Sequence, residues 1–244
     1  GGLPLNRDRV RVLSLRADAM WLDPASVAGK RGYSPAEPHW SLGGSIEARQ
    51  GLDFLGASDD CGPGGAACFL PGAVPLTRIE AKPDAFLVRA SAQAEWRPTK
   101  LLTLAVSPRA QWASDPLVAY EEFSGGNFTV GRGFDPGTVI GDDGVAVSVE
   151  ARYGSFVPAN TKSFVVQPFA FFDAAWTWNK DSAFDGLNPQ KLYSAGGGAR
   201  IAYGNVGRLD MTLAVPLNHG GFLPRKPDPR FLVSFTTQFG VRAR

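Results

Sequence analysis

The residues from Glu121 to Gly137 read EEFSGGNFTVGRGFDPG, five glycines and one proline around a single basic side chain, Arg132. A guanidinium is always charged and carries a fork of donors that fits a carboxylate. A candidate acid stands in FVVQPFAFFDAAWTW, where Asp173 lies deep in an aromatic segment. Other reactive groups are sparse. His39 and His219 have no cluster of ligands around them, and Cys61 and Cys68 are the only thiols, so no metal site is expected. Gly131-x-Gly133 lacks the third glycine of a dinucleotide loop, and no Gly-Lys-Ser/Thr follows to cradle phosphate. Glu121 and Glu122 are adjacent, and nothing sets them on opposite sides of a cleft as glycoside hydrolysis requires. The formal charge of +2 gives no nucleic-acid footprint. The expectation is a protein without catalytic residues or cofactor, in which Arg132 meets a structural partner.

The elements that must position these groups show a period of two. In Phe86 to Arg97, Phe86, Val88, Ala90, Ala92, Ala94 and Trp96 share one face, while Arg89, Ser91, Gln93, Glu95 and Arg97 share the other. A strand separates such sets and a helix mixes them. Leu102 to Trp112, Val145 to Tyr153, Phe164 to Trp178, Tyr193 to Tyr203, Leu209 to Val215 and Phe231 to Phe239 alternate likewise. Leu13 to Trp21 and Trp40 to Leu52 fit less cleanly, with Arg16, Asp18, Glu47 and Arg49 inward. About nine strands result, an all-β class. No run approaches 18 apolar residues, which excludes a transmembrane helix.

Three features point past a soluble β-sandwich, the competing reading, to a transmembrane antiparallel β-barrel. Aromatic residues recur ten apart on the apolar face, as in Phe86 and Trp96 or Tyr193 and Tyr203. Ten tilted residues span ~25 Å, the height of a lipid-facing band. The opposite face bears mid-strand charges, Arg89, Arg109, Glu150, Arg200 and Asp210, which a wet lumen accepts and a dry core does not. Connections also alternate. Those at 98–100, 155–163 and 204–207 are short to moderate, whereas those at about 53–84, 113–143, 179–191 and 217–229 are long. The connection at 23–38 is an exception, since the parity calls for a tight turn there.

A barrel lumen explains Asp173. It falls on the face of Gln167, Phe169, Phe171 and Thr177, and a carboxylate among rings is costly unless paired. If the loop at about 113–143 folds inward, Arg132 reaches it, with Gly125, Gly126 and Gly133 letting the backbone run close to the wall.

These residues carry a resemblance. SDPLVAYEEFSGGNFTVGRGF, GDDGVAVSVEARYG and VQPFAFFDAAW resemble the C-terminal barrel of two-partner secretion transporters, the hemolysin activation/secretion proteins of the ShlB/FhaC/HecB type. The resemblance covers about residues 85–239. It implies that Arg132, Gly133 and Phe134 form the signature of an inward-folding loop. It also implies that Asp173 is the loop's partner on the barrel wall, and that Gly141, Asp142, Gly144 and Glu150 are the motif after the loop. In the family the arginine follows the valine directly; here Gly131 intervenes. The last strand normally ends on an aromatic residue, whereas GVRAR follows Phe239 here.

The implied function is an outer-membrane translocator that secretes an unfolded exoprotein, of hemolysin or adhesin type, by type V two-partner secretion. The alternatives are a barrel assembly factor of the surface-antigen class and a passive porin. The implied partners are the client, outer-membrane lipid and, during biogenesis, the barrel assembly machinery. Two N-terminal POTRA domains are expected in such a transporter and do not occur in this chain. Residues 1–244 are therefore read as a C-terminal barrel fragment, about nine strands of an expected sixteen, with two unpaired edges. Cys61 and Cys68, in a Gly- and Pro-rich external loop, are expected to form a disulfide there.

Overall fold

The computed structural model describes residues 5–126, 130–160, 162–204 and 206–237. Eleven strands occur among these: β1 (Arg11–Leu22), β2 (Trp40–Leu52), β3 (Phe86–Trp96), β4 (Leu102–Ala113), β5 (Phe123–Gly125), β6 (Val139–Gly141), β7 (Asp143–Tyr153), β8 (Phe164–Trp178), β9 (Gln190–Tyr203), β10 (Gly207–Pro216) and β11 (Arg230–Thr237). Nine form one antiparallel meander in the order β1-β2-β3-β4-β7-β8-β9-β10-β11. The other two, β5 and β6, pair with each other inside the long β4–β7 connection. Alternation of apolar and polar residues did not announce these two, because three residues are too few to show a period. The expected Phe239 lies outside the described residues.

Register confirms which residues share a face. Trp40 stands opposite Trp96, Leu102 opposite Tyr153 and Phe164 opposite Tyr203. All these rings are on the outer face, and Trp96, Tyr153, Phe164 and Tyr203 are about half exposed or more. At the far end of the strands Trp112 and Phe231 are exposed in the same way. An outer surface so rich in Val, Leu and Phe, belted by aromatic residues at two heights, suits hydrocarbon rather than water. The sheet is not closed among the described residues. From Arg11 to Trp21 every β1 residue is exposed, on both faces.

The connection at 23–38 is long for a reason. Asp23 accepts from the backbone N–H groups of Ala25 and Ser26 and so caps a one-turn helix, Pro24–Val27. Tyr33 then donates through its hydroxyl to the Arg97 carbonyl at 3.1 Å. Glu37 accepts from Ser155 Oγ at 2.9 Å and from the Phe156 N–H at 3.2 Å. The segment thus reaches past the β3–β4 turn to the β7–β8 turn. It ties turns together as well as reversing the chain, so the parity rule underestimated its length.

Candidate functional site

The β4–β7 connection turns back into the concave side of the sheet. β5 and β6 form its stem, and Phe123, Val130, Phe134 and Val139 bury themselves against Ala146 of β7, Ala175 of β8 and Leu192 of β9. Small residues on both the loop and the wall let the two approach closely. Gly125 pairs with Val139, Gly133 lies against Ser194 and Pro216, Gly141 pairs with Phe123, and Gly144 lies under the Phe123 ring. Gly126 has φ +93°, and a Cβ there would stand 2.2 Å from the Asp135 carbonyl oxygen, so this bend requires glycine.

Arg132 is 6 % exposed and meets the wall at several points. Its Nε and Nη2 donate to the two Asp173 oxygens at 3.0 and 2.8 Å, a bidentate pair. Its Nη1 donates to Glu150 at 2.7 Å, and its Nη2 also reaches Ser148 Oγ at 2.9 Å. The guanidinium carbon sits 3.5 Å from the centroid of the Phe171 ring. Asp173 is fully buried and also accepts from the backbone N–H groups of Gly131 and Arg132, each at 3.1 Å. The inserted Gly131 therefore contributes a donor to the same carboxylate.

Strand pairing explains this convergence. Ser148 of β7, Asp173 of β8 and Ser194 of β9 lie on one rung across three strands. Glu150 and Phe171 lie on a second rung, two residues along on the same face. Gly196 sits opposite Phe171 on β9, and a Cβ there would be 2.8 Å from the ring, so its absence gives the ring room beneath Arg132.

The network continues along the wall. Glu150 also pairs with Arg152 at 2.7 Å and with Arg200 at 2.9 Å. Arg152 reaches Glu95 at 2.5 Å, and Arg200 reaches Asp210 at 3.3 Å. Such buried charges persist because each has a partner of opposite sign.

With this geometry in place, comparison with known proteins is informative. The sequence profile described as Haemolysin secretion/activation protein ShlB/FhaC/HecB matches residues 25–201, well over half of the chain. The chain belongs to that family. Among solved structures, CdiB from Escherichia coli superimposes with a TM-score of 0.68 at 18% identity, over 96% of this chain and 37% of that one. CdiB from Acinetobacter baumannii gives 0.52 at 23% identity, over 81% and 30%. BamA from Haemophilus ducreyi lacking POTRA domains 1-3 gives 0.58 at 17%, over 92% and 42%. These three share the fold with the chain, which spans well under half the length of each. No curated protein matches significantly in sequence. Like the family, the protein is an outer-membrane β-barrel protein.

The residues singled out from sequence separate into two sites. Arg132, Asp173 and Glu150 meet inside the sheet, with Gly133 against Ser194 and Phe134 buried in the adjoining apolar cluster. Asp142 does not join them. It is fully buried at the loop end of the sheet, where it accepts from Arg78, from the Leu117 N–H at 2.6 Å and from the Lys180 N–H at 2.7 Å. Cys61 and Cys68 are bonded to each other in the β2–β3 connection.

Several participants escaped the sequence reading as site members: Arg78, Ser148, Arg152, Arg200 and Phe171. Glu121 is another, held by Arg49 at 2.6 Å and Arg89 at 2.7 Å, while Gln111 donates to its carbonyl. For the strand residues a signal did exist, since all of them fall on the lumen side of the alternation. For Arg78, in an irregular loop, there was none.

Proposed function

We propose that the chain forms the C-terminal part of the barrel of a longer outer-membrane transporter, one that carries an unfolded, secreted partner protein from the periplasm to the surface. The POTRA domains that would receive this client belong to the N-terminal part of such a transporter. The observation that carries the reading is the inward loop clamped to the wall by Arg132, Asp173 and Glu150, in a chain of the haemolysin secretion/activation family. Loop and wall then divide the work. The wall seals the path from lipid, and the loop occupies the lumen, so its position decides how much of the path is open. No group in this arrangement makes or breaks a covalent bond; the residues hold and position. Folding of the client outside would supply the direction of movement.

A second reading, assembly of other barrels, draws support from the likeness to BamA. One experiment separates the two. The full-length protein is reconstituted in liposomes and offered either an unfolded candidate exoprotein or an unfolded barrel protein. The expected result is delivery of the exoprotein to a protease-protected compartment and no gain in barrel insertion. Barrel insertion without exoprotein delivery would reverse the assignment.

A further inference from the structure

The inward loop is gripped at a second place, far from Arg132 in sequence. Arg78, in the β2–β3 connection, uses all five of its N–H donors. Nε donates to Asp181 at 2.9 Å, Nη1 to Asp142 at 2.6 Å and to the Leu117 carbonyl at 2.8 Å, and Nη2 to Asp142 at 3.1 Å and Asp181 at 2.6 Å. A third carboxylate, Glu122, lies 2.9 Å from Nη1 with no N–H left for it. The three acids belong to different segments. Glu122 is at the start of the inward loop, Asp142 at its return into β7, and Asp181 in the β8–β9 connection. To reach them, the β2–β3 connection crosses the ends of β3, β4 and β7. Beside the clasp, Glu80 accepts from the Ser182 N–H at 2.9 Å. Behind it, Cys61, Leu76 and Ala81 pack on Val118.

We infer that Arg78 is a clasp holding the β2–β3 connection across the loop end of the sheet as a lid, and that the lid must swing aside for a chain to leave the lumen. The clasp is built to be firm but not excessive. One cation faces three carboxylates, so the cluster carries a surplus of negative charge that favours opening, while the hydrogen bonds favour closure. Arg78 touches no client; it is a positioning residue, and its role rests on the transport reading above.

The test measures single-channel currents of the full-length transporter in planar bilayers, with no client present. Arg78→Ala should raise the open time roughly tenfold or more, since removing one partner of a buried pair shifts an equilibrium by at least that factor. Should that variant not insert, Asp181→Asn weakens the same clasp from the other side. In a Cys61→Ser/Cys68→Ser background, bridging Glu80→Cys to Ser182→Cys should suppress openings, and reduction should restore them. Unchanged currents in both the released and the bridged protein overturn the inference. If currents respond as expected but no exoprotein is delivered, the lid stands and the transport reading falls.

Discussion

Replacing Arg132 or Asp173 in the full-length protein should displace the inward loop without dismantling the barrel wall, and the two replacements should differ in a way the geometry specifies. Arg132→Ala removes the bidentate pair, the Glu150 contact and the Phe171 stacking. Asp173 nevertheless keeps two backbone N–H donors, and Glu150 keeps Arg152 and Arg200. The loss should therefore fall at the low end of the ~3–5 kcal/mol that breaking a buried pair costs. At about 3 kcal/mol the displaced loop gains roughly two orders of magnitude in population. Asp173→Ala is harsher, because it also orphans the N–H groups of Gly131 and Arg132 at ~1–3 kcal/mol each. Asp173→Asn retains one acceptor oxygen and should be milder than Asp173→Ala. A cysteine placed at Val130, a loop position buried while the clamp holds, reports displacement through its rate of maleimide labelling, and heat-modifiable mobility reports the barrel. The double Ala variant should label little faster than Asp173→Ala alone, the mark of coupled residues. Additive rates, or labelling that matches the parent in both single variants, would refute the clamp.

Glu122 gives a pH dependence. Burial, with the nearby Asp142 and Asp181 charges and against the opposing pull of Arg78, raises its carboxyl to about 7. The closed loop end thus binds a proton that an open, solvated Glu122 releases above its ordinary value of about 4.5. Closure is favoured most at low pH and weakens as pH rises through 7, by about 3 kcal/mol in all. Hydrogen exchange at Leu117 and Lys180 should quicken between pH 5 and 8 beyond its intrinsic rise, and Glu122→Gln should remove that excess; an unaltered profile in the variant sinks the assignment. Gly126→Ala forces a side chain into a bend with φ +93° and 2.2 Å from the Asp135 carbonyl. It should speed labelling at position 130 by an order of magnitude, at a cost of ~1–3 kcal/mol, and parental labelling would show that the bend tolerates a Cβ. In detergent-free buffer residues 1–244 should aggregate, because their outer face is apolar and β1 and β11 are edges; a monodisperse monomer by light scattering would contradict the membrane assignment.

How much of this was legible in the sequence depends on how far each contact relies on periodicity. The strands were readable because a half-lipid, half-lumen environment imposes strict alternation, and one slip would expose every charge to hydrocarbon. Asp173 was readable because a lone acid inside FAFFDAAW is costly without a partner, and the loop offered one cation. Phe171 was placed on the correct face, but its role as a platform depends on Gly196 of β9, a register that the sequence does not state. Asp142 was singled out only as part of the motif after the loop, and its partner Arg78 lies in an irregular connection that the sequence does not place; eight residues of β7 separate Asp142 from Glu150 by ~26 Å at strand rise.

That separation suggests why the loop is held twice. A segment fixed only at its tip, through Arg132, would still pivot at its root; one fixed only at its root would leave the tip free in the lumen. Arg132 joins the tip to β7 and β8, while Arg78, Arg49 and Arg89 hold the root from the β2–β3 connection, β2 and β3. All of these links are ionic, though apolar packing of equal volume could give comparable stability. An apolar clasp, once opened, would leave sticky surface lining the path of an unfolded chain. Opened ion pairs rehydrate instead, and they leave that path wet. Apolar contact is kept for Phe123, Val130, Phe134 and Val139, which close against Ala146, Ala175 and Leu192 of the wall. The division predicts which anchors yield first. Raising salt should loosen the partly exposed root, where Arg89 and Arg49 retain access to water, well before the buried tip. Labelling of a cysteine at Val118, buried at the root, should therefore rise with salt while labelling at Val130, buried near the tip, stays level, and parallel rises at the two positions would show that root and tip are a single anchor.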